Sequence, residues 1–265
     1  IPFKPGCRVL LVGEGNFSFA RSLLISESIP VSPGLLVATC YDSEEVCCSK
    51  YPEAKGTVLQ LRTLGATVHF GVDATRLDKH KELKKHTFDN IVFNFPHVGA
   101  GIKDQDRNIH VNQQLILGFL QSSAGLLAKG LDPTQLRKQR RDEDKSEDED
   151  EEASDIASDG EESQQPGSVR GSILITLRDA IPYTLWDIPR LAKSPPILKP
   201  YPVAHSPHRY SLLRSFAFRP EVYPEYEHRR TLGGATSLEP NEDLKKANGA
   251  CRTWEFVLRD PEAST

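Results

Sequence analysis

Short apolar runs alternate with helix-like segments along most of the chain, and this alternation constrains the fold more than any other feature. Runs of this kind occupy 7–13, 34–42, 67–74 and 88–96. Most of their residues are apolar, as in strands of a parallel sheet that helices cover on both faces. Helices are predicted in the segments between them, including a short polar one at 77–85, and further along the chain at 108–130 and 183–193. The pattern therefore predicts an α/β fold with a doubly wound, mostly parallel sheet.

Three further strand-like runs follow in the second half of the chain, at 171–177, 210–218 and 253–259. The segment 219–250 between the last two is rich in Pro, Gly, Tyr and charged residues, so it predicts a loop and no crossover helix. A loop connection favours an antiparallel last strand inserted beside its predecessor. Seven strands with the last one reversed resemble the class I methyltransferase plan (a Rossmann-like fold), which by itself says nothing about chemistry.

The charge of the chain is unevenly distributed. Its net charge is −4, but residues 142–162 carry 13 of the 37 acidic and one of the 33 basic residues. The remainder has 32 basic and 24 acidic residues, a net of +8. A basic domain with an acidic tether is common among nucleic-acid-binding proteins, although surface charge that merely keeps a protein soluble explains it equally well. We predict one domain over 1–265, interrupted by a disordered acidic insert at 132–168.

The five cysteines are odd in number and form no C-x-x-C pair, which predicts free thiols in a reducing compartment. Histidine spacing shows no zinc pattern, so we expect no metal. No apolar run approaches the roughly 20 residues of a membrane span, so we expect no membrane contact.

A glycine-rich break follows the first strand in LLVGEGNFSFA, residues 10–20. A tight strand-to-helix turn is one interpretation of Gly13 and Gly15. The other is a loop that approaches a nucleotide-type cofactor, since only glycine lets the backbone come that close. A dinucleotide fingerprint would need a third glycine where Ser18 stands beside Phe17. The pattern favours S-adenosylmethionine, which has no pyrophosphate.

Acidic residues end the second and third strands. Asp42 can accept hydrogen bonds from both ribose hydroxyls of such a cofactor. Asp73 is placed to meet the adenine amino group, with the backbone of Ala74 alongside. The alternative is that both aspartates cap the helices that follow, and one residue can do both.

The fourth strand ends in Asn94, Phe95, Pro96 and His97. In a doubly wound sheet, ligands bind outside the carboxyl ends of the strands. The tetrapeptide resembles the motif with which amino-methylating enzymes grip a planar nitrogen, through an amide at the base edge and a ring on its face. A proline that stops the strand before a glycine loop explains Pro96 but neither Asn94 nor His97.

Together these motifs resemble the fungal and plant ribosomal RNA uridine-N3 methyltransferase family, nearly from end to end outside the acidic insert. The matching motifs are GEGNFSFA, TCYD, GVDAT, FDNIVFNFPHVG, RNIHVNQQL, YTLWDI and YPEYEHRRT. The resemblance implies a nucleolar enzyme that methylates N3 of a uridine in large-subunit ribosomal RNA, with S-adenosylmethionine as cofactor. It assigns cofactor binding to Gly13, Glu14, Gly15, Asn16, Phe17 and Ser18, and the active site to Asn94, Phe95, Pro96 and His97. The proline-rich stretch 192–210 matches least well.

N3 of uridine takes part in base pairing, so the target must be single-stranded or flipped out of its stack. We expect a monomer that acts on a pre-ribosomal particle. His97 is the candidate for assisting loss of the N3 proton, because imidazole titrates near neutral pH, although a loop histidine that only bonds the backbone is equally consistent. The rival hypothesis is a non-catalytic RNA-binding assembly factor with a methyltransferase-like shell. A small-molecule methyltransferase is disfavoured by the basic core and the EHRRT loop.

Overall fold

The computed structural model describes residues 2–99, 101–133, 169–196, 208–229 and 251–260, together with the backbone of 231–232 and 235–236. Within these ranges, seven strands form one mixed sheet and two short strands form a hairpin. The sheet strands are β1 (Val9–Val12), β2 (Leu36–Thr39), β3 (Thr67–His69), β4 (Asn90–Asn94), β5 (Ser172–Arg178), β6 (Tyr210–Ala217) and β9 (Cys251–Leu258). The hairpin pairs β7 (Thr231–Leu232) with β8 (Ala235–Thr236). The α-helices are α1 (Ser18–Ile25), α2 (Glu44–Lys50), α3 (Ala54–Leu64), α4 (Gln105–Ser123) and α5 (Ile188–Lys193).

The strand order in the sheet is β3-β2-β1-β4-β5-β9-β6. The first five of these strands run parallel, whereas β9 pairs antiparallel with both β5 and β6. The predicted doubly wound sheet is confirmed, and so is the reversed last strand beside its predecessor. Successive strands are added toward one edge of the sheet from β1 to β3 and toward the other edge from β4 onward. In sheets of this type, ligands bind at the point where this order reverses, here between β1 and β4.

The sheet separates two apolar layers, because successive side chains of a strand point to opposite faces. In β1, Val9 and Leu11 belong to the layer with α1, α2 and α3, while Leu10 and Val12 belong to the layer with α4 and α5. All four side chains are at most 2% exposed. The continuous apolar composition of the strands therefore follows from helices on both faces.

Three helical predictions differ from the structure in detail. The polar segment predicted as a helix at 77–85 forms two short 3-10 helices, Ala74–Lys79 and Leu83–Lys85, which carry too few apolar residues to bury an α-helical face. The long helix predicted at 108–130 extends over Gln105–Ser123, and it begins earlier because the Asp104 side chain accepts a hydrogen bond from Arg107 N–H at 2.7 Å. The predicted helix at 183–193 is broken at Asp187, whose φ is +50°.

Several sequence features fall outside the described residues. They include the acidic insert beyond 133, most of the loop after 229 and the central part of the proline-rich stretch. All five cysteines lie within the described ranges and are free thiols. Among the described helices, none combines the length and the apolar character that crossing a bilayer requires.

Candidate functional site

A cavity of about 680 Å³ opens at the carboxyl ends of β1, β2, β4 and β5. Eleven of the residues predicted from the sequence line it, and they come from four separate segments. They are Gly13, Glu14, Gly15, Asn16, Ser18, Asp42, Asp73, Ala74, Asn94, Phe95 and His97. Phe17 and Pro96 do not line the cavity. The size of the cavity suits a nucleoside-type ligand and a second planar group.

The glycine loop is packed closely against neighbouring aromatic rings. Gly13 has a φ of +71°, and a Cβ added there would lie 2.6 Å from Cε2 of Phe93. A Cβ on Gly15 would lie 3.3 Å from the ring of Tyr51. Phe17 also has a positive φ, +61°, and its fully buried ring meets Phe70 edge-on at 5.5 Å. Phe17 therefore shapes the loop from the core and does not line the cavity.

Glu14 lies between the two glycines and lines the cavity. Burial raises the pKa of its carboxyl group from 4.5 to about 7, although a hydrogen bond from Ala20 N–H to Oε2 at 3.3 Å acts in the opposite direction. A carboxyl group with this pKa changes its charge near neutral pH. A cation in the cavity would favour its ionised form.

Asp42 faces the cavity from the loop after β2. Lys50 Nζ donates to both of its carboxylate oxygens, at 2.8 and 3.0 Å, and this contact raises the pKa of Lys50. The capping alternative does not apply to Asp42, because the side chain of Ser43 caps α2 by accepting from Val46 N–H at 3.3 Å. Asp42 is therefore available to a ligand with Lys50 beside it.

Asp73 does cap the helical turn that follows it. Its Oδ1 accepts from Thr75 N–H at 2.8 Å and from Thr75 Oγ1 at 2.7 Å. The adjoining Ala74 is buried, and its carbonyl accepts from Ser122 Oγ of α4 at 2.6 Å. These bonds fix Asp73 and Ala74 at the cavity wall, so the capping role and a ligand role remain compatible.

The turn after β4 has an unusual backbone conformation. Phe95 has a φ of +51°, and its N–H donates to the Thr176 carbonyl of β5 at 2.8 Å. The Phe95 ring lies 4.2 Å, centroid to centroid, from the ring of His228. Nδ2 of Asn94 is buried and has no hydrogen-bond partner among the described residues. A buried donor of this kind needs an explanation, and a ligand oxygen would satisfy it.

His97 is exposed at the cavity rim, and its Nδ1 accepts a hydrogen bond from Gly99 N–H at 2.8 Å. A backbone N–H can only donate, so Nδ1 carries the lone pair and the proton of the neutral ring lies on Nε2. In this arrangement His97 presents a donor. It can take up a proton only if it gives up the contact with Gly99. Its ring centroid lies 6.0 Å from that of Trp186.

One group of lining residues could not be predicted from the sequence, because it lies within a long loop and not directly after a strand. Tyr226, Glu227, His228 and Arg229 line the cavity from the segment 219–229. Ser18 Oγ accepts from Glu227 N–H at 3.1 Å, and Asn16 Nδ2 donates to the Glu227 carbonyl at 3.3 Å. The YPEYEHRRT motif, used for the family resemblance and against a small-molecule substrate, marked this segment.

A second missed group of lining residues includes Arg178 at the end of β5, Tyr183 after it, and Gln114 of α4. Nε of Arg178 is buried with no hydrogen-bond partner among the described residues, and its guanidinium carbon lies 5.8 Å from the centre of the Tyr183 ring. An arginine at a strand end is a weak signal in sequence, because most such residues are solvated. In the described ranges, no group of three or more His, Cys, Asp and Glu side chains has the arrangement of a metal site.

A family model and a characterised relative that match this chain name the same activity. The family model described as rRNA (uridine-N3-)-methyltransferase, BMT5-like, matches residues 10–230, a range that includes both the glycine loop and the turn after β4. A Saccharomyces cerevisiae 25S rRNA (uridine(2634)-N(3))-methyltransferase is 30% identical over 262 residues, covering 92% of this chain and 71% of that protein.

Two further relatives show how widely the sequence pattern occurs. An uncharacterized Arabidopsis thaliana protein is 27% identical over 253 residues, which cover 94% of this chain and 92% of its own. The human ferredoxin-fold anticodon-binding domain-containing protein 1 is 41% identical over 122 residues, 46% of this chain but 18% of its own length. Sequence similar to all or part of this chain thus occurs both as most of a protein and as a small portion of a longer one.

Proposed function

The chain belongs to the BMT5-like rRNA (uridine-N3-)-methyltransferase family, and from this premise we propose that it uses S-adenosylmethionine to methylate N3 of a uridine in large-subunit ribosomal RNA. The observation that carries the proposal is one cavity shared by the glycine loop and the turn after β4. The first segment suits a nucleoside cofactor and the second suits a planar base. One cavity therefore has room for both partners of a methyl transfer.

The residues at the glycine loop fit the cofactor. Gly13 and Gly15 leave the wall without side chains where the backbone must approach a ligand, and the carboxylate of Asp42 is a suitable acceptor for ribose hydroxyls. Asp73 and the backbone of Ala74 are the groups we assign to the adenine edge. Glu14 is the acidic group available to a positive charge. When bound, S-adenosylmethionine supplies an electrophilic methyl group on a positively charged sulfur.

Residues of the turn after β4 hold the base in our proposal. Asn94 Nδ2, which has no partner among the described residues, donates to a uracil carbonyl oxygen. His97 donates from Nε2 or stacks on the ring, and the turn at Phe95, whose φ is +51°, carries both Asn94 and His97 at the cavity wall. Holding the nucleophile and the methyl group in line supplies much of the rate enhancement in such reactions.

Access to N3 requires that the uridine be unpaired or flipped out, since N3–H is used in base pairing. We further propose that the described segments belong to one catalytic domain spanning 1–265, into which the acidic segment 132–168 is inserted. The protein acts as a monomer on a pre-ribosomal particle in the nucleolus. Sedimentation of tagged protein with nucleolar pre-ribosomal particles tests this placement, and exclusive recovery of the protein with mature cytoplasmic ribosomes would contradict it.

The test of the reaction is direct. Purified protein, methyl-labelled S-adenosylmethionine and hypomethylated large-subunit rRNA are incubated, and the digested nucleosides are identified by mass spectrometry. We expect N3-methyluridine from the wild type. Asn94→Ala should form about a hundred-fold less at unchanged cofactor affinity, because it loses a hydrogen bond at the reacting centre.

Two other outcomes would overturn the proposal. Binding of RNA without any methyl transfer would indicate the non-catalytic assembly factor. A methyl group on a different nucleoside or a different uridine atom would refute the assignment of N3. Circular dichroism of Asn94→Ala identifies a folding defect, so a loss of activity can be assigned to the side chain itself.

A further inference from the structure

Arg178 lines the cavity and has chemistry that the assignments above do not use. It is the last residue of β5, it is half-buried, and it lines the cavity. Its Nε has no hydrogen-bond partner among the described residues. The Tyr183 ring lies 5.8 Å from the guanidinium carbon and supports the cation from one side. An arginine in this position is available to a ligand that accepts hydrogen bonds or carries negative charge.

A second unpartnered donor lies at the end of the adjacent strand. Asn94 of β4 is paired in register with Thr176 of β5, and Arg178 is two residues further along β5. Residues two apart in a strand project to the same face. Nδ2 of Asn94 and Nε of Arg178 are both buried without partners among the described residues, and both residues line one cavity. Buried donors are almost always satisfied in folded proteins, so this pair indicates a ligand rich in acceptors.

We propose that Arg178, together with Asn94, holds the target uridine as its N3-deprotonated anion, so that a fixed cation takes the place of a general base. This inference rests on the proposed function. The N3–H bond breaks, its electron pair stays on N3 and is shared with O2 and O4, and the proton goes to solvent water. The N3 lone pair then forms the bond to the methyl carbon, while the electrons of the carbon–sulfur bond remain on sulfur as a thioether.

The physical basis is electrostatic. An opposite charge within about 4–6 Å lowers the pKa of an acid by roughly one to three, which greatly increases the ionised fraction at neutral pH. The same effect stabilises negative charge as it develops on the oxygens, as in an oxyanion hole. His97 does not compete for this role in the present geometry, because its Nδ1 accepts from Gly99 N–H.

The same pair of donors would select uracil over cytosine. Uracil presents two carbonyl oxygens beside N3, and both can accept from Arg178 or Asn94. Cytosine has an amino group in place of one carbonyl and has no N3–H to lose. Its donor would face the guanidinium donors, leaving buried polar groups unpaired, which is an effective basis for rejecting a substrate.

The test compares Arg178→Gln and Arg178→Lys with a control, Arg190→Gln. Arg190 forms an exposed ion pair with Asp187 and does not line the cavity. Single-turnover rates are measured across pH at saturating RNA and cofactor. Two RNAs are used, one with uridine and one with 5-fluorouridine, whose N3 is more acidic. RNA affinity is measured separately.

For Arg178→Gln we expect a rate about a hundred-fold lower at neutral pH, of the size seen when an oxyanion-hole donor is removed. The rate should continue to rise at alkaline pH after that of the wild type has levelled. The deficit should shrink with the 5-fluorouridine RNA, because the more acidic base ionises with less help. Arg178→Lys should retain part of the rate, and Arg190→Gln should match the wild type.

Three results would overturn the inference. The first is an equal deficit with both RNAs at every pH. The second is a normal saturated rate with weakened RNA affinity, which would make Arg178 a phosphate contact. The third is an Arg178→Gln protein with the rate and the RNA affinity of the wild type. If Arg178→Gln does not fold, Arg178→Lys is compared with the wild type on the two RNAs instead, and a deficit of equal size on both would overturn the inference. These results all presuppose that the wild type forms N3-methyluridine, and its failure to do so would overturn the proposed function instead.

Discussion

Ser18 and Glu227 join the glycine loop to a segment 209 residues further along the chain. The Ser18 hydroxyl accepts from Glu227 N–H at 3.1 Å and lies 3.0 Å from the Glu227 carbonyl oxygen. Ser18 is the first residue of α1 and is 4% exposed. A buried hydroxyl therefore contributes to holding the start of α1 against the 219–229 segment, and both border the same cavity.

Ser18→Ala should release the 219–229 segment from the loop. The backbone of Glu227 loses a buried partner, so we expect the free energy of unfolding to fall by about 1–3 kcal/mol. Proteolysis should also cut the segment faster than in the wild type. The matched control is Ser22→Ala on the same helix, because the Ser22 hydroxyl donates only locally, to the Phe19 carbonyl at 2.6 Å. Equal cleavage rates in the two variants would show that Ser18 does not hold the segment.

Gly13→Ala should destabilise the fold even in the absence of ligand. The new Cβ would lie 2.6 Å from Cε2 of Phe93 at a backbone φ of +71°, so both a clash and backbone strain arise. We expect a loss of about 2 kcal/mol or more in denaturant unfolding. Gly34→Ala is the control, since no atom lies within 4 Å of its added Cβ and its φ is not positive. A Gly13→Ala protein as stable as Gly34→Ala would refute the packing argument.

Asp42→Ala should weaken cofactor binding and leave the fold intact. Loss of a charged acceptor for ribose hydroxyls corresponds to about 1.5–3 kcal/mol, or roughly ten- to a hundred-fold in Kd. Isothermal titration calorimetry measures the change. Glu44→Ala is the control, because Glu44 begins α2 nearby, pairs with Arg62 at 3.0 Å and does not line the cavity. Unchanged affinity in a folded Asp42→Ala protein would remove the ribose role.

The parts of this site that sequence could predict are those encoded locally. Gly13 follows an apolar strand directly, and Asp42 follows the next one, so strand order alone brings them to one edge of the sheet. The same rule located Asn94. Apolar runs identified the strands because both faces of the sheet are covered.

The remainder depends on contacts between distant parts of the chain. Glu227 reaches the site through a loop without periodicity, and Arg178 is indistinguishable in sequence from a solvated strand end. Phe17 was predicted at the cofactor, but its φ of +61° turns the ring into the core. The motif alone did not predict the direction of this side chain, because the direction depends on the backbone conformation of one residue.

Glu14 should make stability depend on pH near neutrality. Burial raises its pKa in the folded protein to about 7 from an ordinary 4.5, so between these values the folded state keeps a proton that the unfolded chain has lost. Stability is therefore reduced progressively as pH rises through this window. Glu14→Gln removes the effect, and we expect it to be more stable than the wild type by about 3 kcal/mol above pH 7 and close to it near pH 4.5. Parallel pH dependences of the two proteins in urea unfolding would contradict this.

His97 gives the sharpest test of how the N3 proton is lost. Its Nδ1 accepts from Gly99 N–H at 2.8 Å, so we expect it to shape the turn and to donate from Nε2. His97→Ala should slow methyl transfer about ten- to a hundred-fold, as for a lost donor at a reacting centre. The rate of the variant should rise with pH over the same pH range as that of the wild type. His97→Asn, which offers an oxygen to Gly99 N–H, should recover part of the rate. A loss of the neutral-range rise in both variants, with activity returning at alkaline pH, would instead identify His97 as the base.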